Sequence, residues 1–238
     1  MQSNLLAELG KFLSGNDNQE KKSIVFSEQT IPPRLILILG GARSGKSTFA
    51  ERLATSGGRT AGSAGSVAFI ATATADDDEM RARIARHRAS RPREWHTIEE
   101  PLDLVGAVRQ AYELADVLLL DCVTLWLGNM LTRESGQRES DDKRKEEQHI
   151  TSSLFDERPL KQIEELLTVV QSAGQNKTLI VVTNEVGLGV VPAYPLGRVY
   201  RDTLGYINQR LAQAADRVYL MVAGMAVDIK RLHEEASL

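Results

Sequence analysis

One run of residues in this chain carries recognisable chemistry on its own. Gly40-Gly41-Ala42-Arg43-Ser44-Gly45-Lys46-Ser47 fits the pattern G-x-x-x-x-G-K-[ST] in full. Glycines at such positions let consecutive backbone N–H groups turn inward around phosphate oxygens, and the N-terminus of a following helix adds its dipole. Lys46 would reach the β- and γ-phosphates as a point charge, and the Ser47 hydroxyl would ligate Mg²⁺. A loop of this kind works with an acidic residue at the end of a buried strand, held near the metal. Val117-Leu118-Leu119-Leu120-Asp121 supplies one. Asp121 has a second reading, as the cap of a helix beginning near Thr124.

The next feature is a histidine set among arginines. Six arginines fall within the thirteen residues from Arg81 to Arg93, in a chain that is otherwise slightly acidic. The acidic run Asp76 to Glu79 before them and Pro92 after them suit a helix of normal dipole polarity. Met80, Ile84 and His87 then share one face at i, i+4 and i+7. Three readings of His87 stay open on these residues alone: a packed member of that stripe, a mere phosphate contact, or a nucleophile toward a triphosphate. The arginines fit the last, because they would hold the triphosphate and stabilise a departing pyrophosphate.

Positioning these groups takes a sheet. Continuous apolar runs occur at Leu35 to Leu39, Val67 to Ala71, Val117 to Leu120, Leu179 to Thr183 and Val218 to Val222. Each has the pattern of a strand buried on both faces. Helical patterns lie between them, at Ser47 to Ala54, Asp76 to Ala89, Leu102 to Leu114, Leu160 to Ser172 and Val199 to Ala215. The alternation predicts an α/β fold, a single P-loop NTPase domain over 34–238 with helices on both faces of a mostly parallel or mixed sheet. Residues 1–33 read as an N-terminal extension, loosely ordered or holding a short helix. Thr55 to Ser66 reads as a Gly/Ser-rich surface loop, and Arg133 to Glu147 as a charged solvated loop or helix end.

Composition narrows the function classes. The chain has 238 residues, 42% hydrophobic and 26% charged, with a formal net charge of −3, which disfavours a dedicated nucleic-acid binder. Its one cysteine, Cys122, excludes an internal disulfide and a cysteine-based zinc site. No apolar run is long enough to span a bilayer, and Met1 to Gly10 lacks the features of a signal peptide, so a cytoplasmic protein without membrane insertion is expected.

Taken in order, the motifs resemble the family of bifunctional adenosylcobinamide kinase/adenosylcobinamide-phosphate guanylyltransferases of cobalamin synthesis. The resemblance is carried by the loop at Gly40 to Ser47 and by Ala71-Thr72-Ala73 with Asp77-Asp78-Glu79-Met80. It continues through His87-Arg88, Arg91-Pro92, Trp95, Thr97 and Glu99, then Leu120-Asp121-Cys122-Val123-Thr124 and Thr183 to Pro192. Arg201-Asp202, Asn208 to Ala212 and Val222-Ala223-Gly224 complete it, over roughly residues 34 to 231.

The resemblance implies two reactions using Mg²⁺ with GTP and ATP as substrates. A nucleoside triphosphate phosphorylates the corrinoid adenosylcobinamide. GTP then guanylylates a histidine, and the new phosphate takes the GMP to give adenosylcobinamide-GDP. The family's guanylylated histidine falls on His87, with Lys46 the other catalytic residue. Gly40, Gly41, Ala42, Arg43, Ser44, Gly45, Lys46 and Ser47 would cradle GTP phosphates. Thr72, Ala73, Thr74, Arg91 and Pro92 would line the nucleotide site, and Glu99 and Asp121 would be its acidic groups, Asp121 joining Ser47 at the metal. Some members carry Glu where this chain has Asp121. Asn184 and Glu185 are either ligand contacts or a turn and helix cap, and Trp95, Trp126 and Tyr194 are either corrinoid contacts or core and surface packing. A homotrimer is also implied. Two other functions remain on the residues alone: a P-loop kinase of another small alcohol without guanylyl transfer, and a nucleotide-switched binding protein.

Overall fold

The structure, a computed structural model of the chain, describes residues 34–57, 66–75, 78–136 and 157–236. The expected extension at 1–33, residues 58–65 of the Gly/Ser stretch, Asp76, Asp77 and residues 137–147 of the charged stretch lie outside the described residues. All five apolar runs form strands: β1 (Leu35–Gly40), β2 (Val67–Ala71), β4 (Val117–Asp121), β5 (Thr178–Val182) and β6 (Arg217–Val222). Two further strands have no such run, β3 (His96–Glu99) and β7 (Met225–Asp228). The seven-stranded sheet has the order β3-β2-β4-β5-β1-β6-β7. Every pairing is parallel except β6 with β7, so the sheet is mixed by a single edge strand.

The helices are α1 (Lys46–Gly57), α2 (Asp78–Ser90), α3 (Leu104–Leu114), α4 (Val123–Gly136), α5 (Glu157–Ser172), α6 (Pro195–Ala214) and α7 (Ile229–Ala236). The stretch expected to be loop from Thr55 is still helical to Gly57, because Leu53 and Ala54 bury and carry the turn on. Leu104, Val105, Ala107, Val108 and Ala111 of α3, and Pro159, Ile163, Leu166, Leu167 and Val170 of α5, recur at helical spacing and are buried. Asp103 caps α3 by accepting the Gly106 N–H at 2.9 Å.

Both faces of β1 are covered. Leu35, Leu37 and Leu39 join a cluster with apolar residues of α3, α4, α5 and α6. Ile36 and Ile38 point the other way and are equally buried, on the side where α1 packs against β1, β4 and β5. Among the described residues no helix is long and apolar enough to cross a membrane.

Strand register sets up the functional edge. Ala71 pairs with Glu99 on one side and with Asp121 on the other, and Asp121 pairs with Val182. The C-terminal ends of four strands therefore finish in one row, beside the end of β1 at Gly40. In an open parallel sheet that edge is where ligands bind.

The hairpin between β6 and β7 braces the loop after β1. Ala223 and Gly224 both have positive φ, 51° and 82°, which matches the sheet twist in a two-residue turn. Gly224 donates its N–H to the Ser44 carbonyl at 3.0 Å. Gly40 is confined from the same side: its φ is 152°, and a Cβ there would lie 2.6 Å from the Met221 carbonyl oxygen. Since that neighbour is backbone of a paired strand, it has no room to give. Gly40→Ala should cost roughly 2–4 kcal/mol and lower the Tm by roughly 5–15 °C, which thermal unfolding of the full chain measures.

Candidate active site

The loop between β1 and α1 closes on itself around its lysine. Ser44 donates its N–H to the Gly41 carbonyl at 3.3 Å, and Phe49 to Gly45 at 3.0 Å as α1 begins. Arg43 and Gly45 take positive φ, 58° and 95°, which turns the intervening peptides. Gly45 is tightly packed as well, since a Cβ would stand 3.3 Å from the Gly224 Cα. Lys46 is only 8% exposed, and its Nζ donates to the Gly41 carbonyl at 2.6 Å. The ammonium is thus drawn back over the loop, with Gly41, Ala42 and Arg43 exposed around it. The Ser44 hydroxyl is buried and has no hydrogen-bond partner among the described residues. That is a donor left for a ligand to satisfy.

Beside this loop lies a cavity of about 450 Å³. Ser47 contributes from α1, Phe69, Ala71, Ala73 and Ala75 from β2 and its exit, and Glu99 from the end of β3. Asp121, Cys122 and Leu125 come from the end of β4 and the start of α4. The remaining wall is α2, with Met80, Ile84, His87 and Arg88, followed by Arg91. The stripe anticipated on α2 is present, but it faces this cavity. Met80, Ile84 and His87 are half-buried, and no described side chain of the helix is fully buried.

Arg91 is the most constrained cation there. Its guanidinium carbon sits 3.3 Å from the centroid of the Phe69 ring. Burial pulls it down from its ordinary value, while Asp121 and Glu51 pull it back up. Its Nε is buried without a hydrogen-bond partner among the described residues. A cation held flat on an aromatic ring with an unspent donor suits a phosphate oxygen. Arg88 pairs with Glu99 at 3.2 Å on the exposed rim. Cys122 also touches the cavity, but burial pushes its thiol up to about 12, so it offers no thiolate near neutrality.

The structure therefore brings Ser47, Ala73, His87, Arg91, Glu99 and Asp121 to one cavity, next to the Lys46 loop. Other anticipated residues are placed differently. Thr72 is fully buried and its hydroxyl is spent on Cys122, donating to the carbonyl at 2.7 Å and accepting the N–H at 2.9 Å. It ties β2 to the β4–α4 junction. Thr74 turns to the Asn129 side-chain oxygen at 3.4 Å, and Pro92 accepts the Trp95 N–H at 3.2 Å through its carbonyl. Trp126 is fully buried and donates to the Leu102 carbonyl at 2.8 Å, which places it in the core and not against a corrinoid.

Asn184 and Glu185 flank the phosphate loop on its other side. Glu185 donates its N–H to the Gly40 carbonyl at 3.1 Å, and its carboxylate accepts the Gly187 N–H at 2.7 Å. Asn184 is held through its backbone by Thr124 and Asn208. Sequence reasoning passed over Glu51, a half-buried carboxylate on α1 whose charged neighbours are His87, Asp121 and Arg91. The available signal was spacing: Glu51 follows Ser47 by four residues, one helical turn.

A larger concavity of about 500 Å³ lies where Lys177 leads into β5, lined by Arg109, Tyr112 and Lys177 among others. It sits at the opposite edge of the sheet from the phosphate loop. Chemistry, not volume, favours the smaller cavity.

Comparison with known proteins agrees with this geometry. A family described as cobinamide kinase / cobinamide phosphate guanyltransferase matches residues 36–229, which span the loop, the His87 helix and the row of strand ends. The bifunctional adenosylcobalamin biosynthesis protein CobP of Pseudomonas aeruginosa is 43% identical over 194 residues, covering 82% of this chain and 96% of that protein. The CobU proteins of the same description from Escherichia coli and Salmonella typhimurium are each 39% identical, over 198 and 196 residues, covering 82% of this chain and 99% of each. With the family model matching residues 36–229 and relatives matched over nearly their whole length, this chain belongs to the cobinamide kinase / cobinamide phosphate guanyltransferase family.

Proposed function

We propose that the chain phosphorylates adenosylcobinamide with a nucleoside triphosphate and then transfers GMP from GTP to the product through His87. The observation that carries the reading is the placement of His87 and Arg91 in one cavity with Ser47 and Asp121, beside the lysine loop. A kinase alone needs the loop and an acidic residue; it has no use for an imidazole on the cavity wall. In guanylyl transfer, an imidazole nitrogen attacks the α-phosphorus of GTP. The P–N bond forms as the bond to the bridging oxygen breaks, and pyrophosphate leaves with that electron pair. The phosphate of adenosylcobinamide phosphate then attacks the same phosphorus, and the imidazole departs. One difficult displacement becomes two easier ones.

Lys46, the loop N–H groups and the Arg91 guanidinium are the groups that neutralise phosphate charge in this reading. Ser47 and Asp121 provide oxygen donors on one cavity, a set suited to Mg²⁺, whose other ligands would be phosphate oxygens and water. When bound, that ion would neutralise charge building on the phosphates. Corrinoid binding is supported by the loop beyond β5. Leu188, Val190 and Tyr194 are 86%, 94% and 64% exposed, and the loop is tied at its start to Gly40 by the Glu185 bond. An apolar surface hung from the phosphate loop suits a large, partly apolar acceptor. A homotrimer is the assembly that the family resemblance implies; the exposed apolar residues Met225 and Val227 on the edge strand β7 offer a surface for self-association.

Intact-protein mass measurement after incubation with Mg²⁺ and GTP alone tests the proposal. A GMP-sized adduct, stable to base and labile to acid, is expected on His87. GTP binding without an adduct would reduce the function to a kinase.

A further inference from the structure

Asn129 stands in the middle of α4, a place where asparagine gains nothing as a helix former. Its amide is spent on two other parts of the chain. Nδ2 donates to the Thr72 carbonyl at 2.8 Å and to the Pro101 carbonyl at 3.2 Å, and Oδ1 accepts the Thr74 hydroxyl at 3.4 Å. Two carbonyls on one side fix the orientation of the amide, since only its nitrogen can donate to both. Thr72 follows β2 at once and Pro101 lies just past β3, beyond the paired registers of either strand. Asn129 therefore supplies backbone partners where the sheet no longer does. One turn earlier on the same face of α4, Trp126 holds the neighbouring Leu102 carbonyl at 2.8 Å.

Both joined segments lead to the cavity. Ala73 and Ala75 line it after β2, and Glu99 lines it at the end of β3. The same segments anchor α2. Arg81, at the start of that helix, donates to the Ala75 carbonyl at 3.2 Å, and Arg88, near its end, pairs with Glu99 at 3.2 Å. No described side chain of α2 is fully buried, so core packing does little to fix the helix. Its place over the cavity depends on such ties, and His87 lies between the two.

We propose that Asn129 is a positioning residue for guanylyl transfer: its amide ties the exits of β2 and β3 together and so fixes where α2 holds His87 against the cavity. The inference rests on His87 being the guanylylated residue. In-line attack on a phosphorus tolerates little error in the place of the attacking nitrogen, and a nucleophile on a thinly packed helix is only as well placed as the helix's anchors. With the amide gone, the Thr72 and Pro101 carbonyls lose their common partner. The two segments can then separate, and the Arg81 and Arg88 ties move apart with them.

The test compares the wild-type full chain with Asn129→Ala, which removes the amide, and Asn129→Gln, which keeps it on a stem one methylene longer. Two rates are read on each: adduct formation with Mg²⁺ and GTP in single turnovers, and total phosphorylation of adenosylcobinamide at saturating GTP. A nucleophile misplaced by about 1 Å loses on the order of 10²-fold in rate, so Ala should slow the adduct by about 10- to 100-fold. Phosphorylation should stay within about 3-fold, because Lys46 and Ser47 stand on α1 and Asp121 on β4, outside the tied segments. Gln should fall between wild type and Ala in adduct rate, and it carries the same comparison should Ala fail to fold. An equal loss in both reactions would overturn the proposal, since general loosening slows both. So would an Ala variant that forms the adduct at the wild-type rate. If the wild-type chain itself forms no adduct, the His87 reading has failed and Asn129 falls with it; a wild-type adduct with an unaffected Ala variant removes Asn129 alone.

Discussion

His87→Asn should yield a protein that binds GTP within a few-fold of wild type and forms no guanylyl adduct. Asparagine keeps a polar side chain of comparable reach at a half-buried position on α2, so the wall of the cavity is preserved. What it removes is the nitrogen lone pair. An amide nitrogen is not nucleophilic, and the thiol on the cavity wall, Cys122, is held protonated by burial. Removal of a covalent nucleophile costs at least about 10⁴-fold in turnover where no substitute exists. GTP affinity should survive because the groups placed to meet phosphate are elsewhere, on the Lys46 loop and at Arg91. Adduct mass and equilibrium GTP binding, measured on the same preparation, read the two quantities separately. A variant that still produces the adduct would remove the covalent role from His87 and return it to the packed stripe with Met80 and Ile84.

The central strands were legible because they are buried on both faces. β1, β2, β4 and β5 are nearly continuous apolar runs, and a strand covered on both faces leaves no polar alternation to confuse it with a helix; β6 keeps an apolar run from Val218 although Val222 at its end is exposed. The two edge strands were not legible. His96-Thr97-Ile98-Glu99 has one apolar residue and is largely exposed, and its pairing with β2 comes from register alone. Met225 to Asp228 is held by the two-residue turn at Ala223 and Gly224 and by antiparallel bonds to β6.

The site divides along the same line. A loop whose residues act through their backbone, such as Gly40 to Ser47, must repeat a local pattern, so it can be read from spacing. Groups that meet only when strands align cannot. Asp121 could be read as the acid that ends an apolar run, but its place beside Glu99 could not: the two end in one row because Ala71 pairs with both. Thr72, which the resemblance set at the nucleotide site, spends its buried hydroxyl on the nearest backbone partners, both supplied by Cys122. Glu51 went unread because a glutamate on an amphipathic helix ordinarily faces water, and its charged neighbours come from distant parts of the chain, His87, Arg91 and Asp121.

Lys46→Ala should weaken both reactions, and by different routes from His87→Asn. In the free protein the ammonium is nearly buried and bonded to the Gly41 carbonyl at 2.6 Å. That bond keeps the charge over the loop in advance of the nucleotide, so little ordering remains to be done on binding. Alanine removes the charge and leaves the loop geometry largely intact, since Gly40, Gly45 and the Gly224 brace are untouched. A charge-assisted hydrogen bond is worth about 1.5–3 kcal/mol, so GTP affinity should fall on the order of 10- to 100-fold. Phosphoryl transfer should lose a further factor of about 10²–10³ at saturating nucleotide, because in the proposed reaction negative charge moves onto the phosphate oxygens that Lys46 would meet as the bond breaks. Adduct formation on His87 should slow as well, since the leaving pyrophosphate carries the β- and γ-phosphates. Equilibrium binding of GTP, phosphate transfer to adenosylcobinamide and the rate of adduct formation separate these contributions. Unchanged GTP affinity would mean that Lys46 stays on the Gly41 carbonyl when nucleotide binds, leaving Arg91 and the loop N–H groups to carry the phosphate charge.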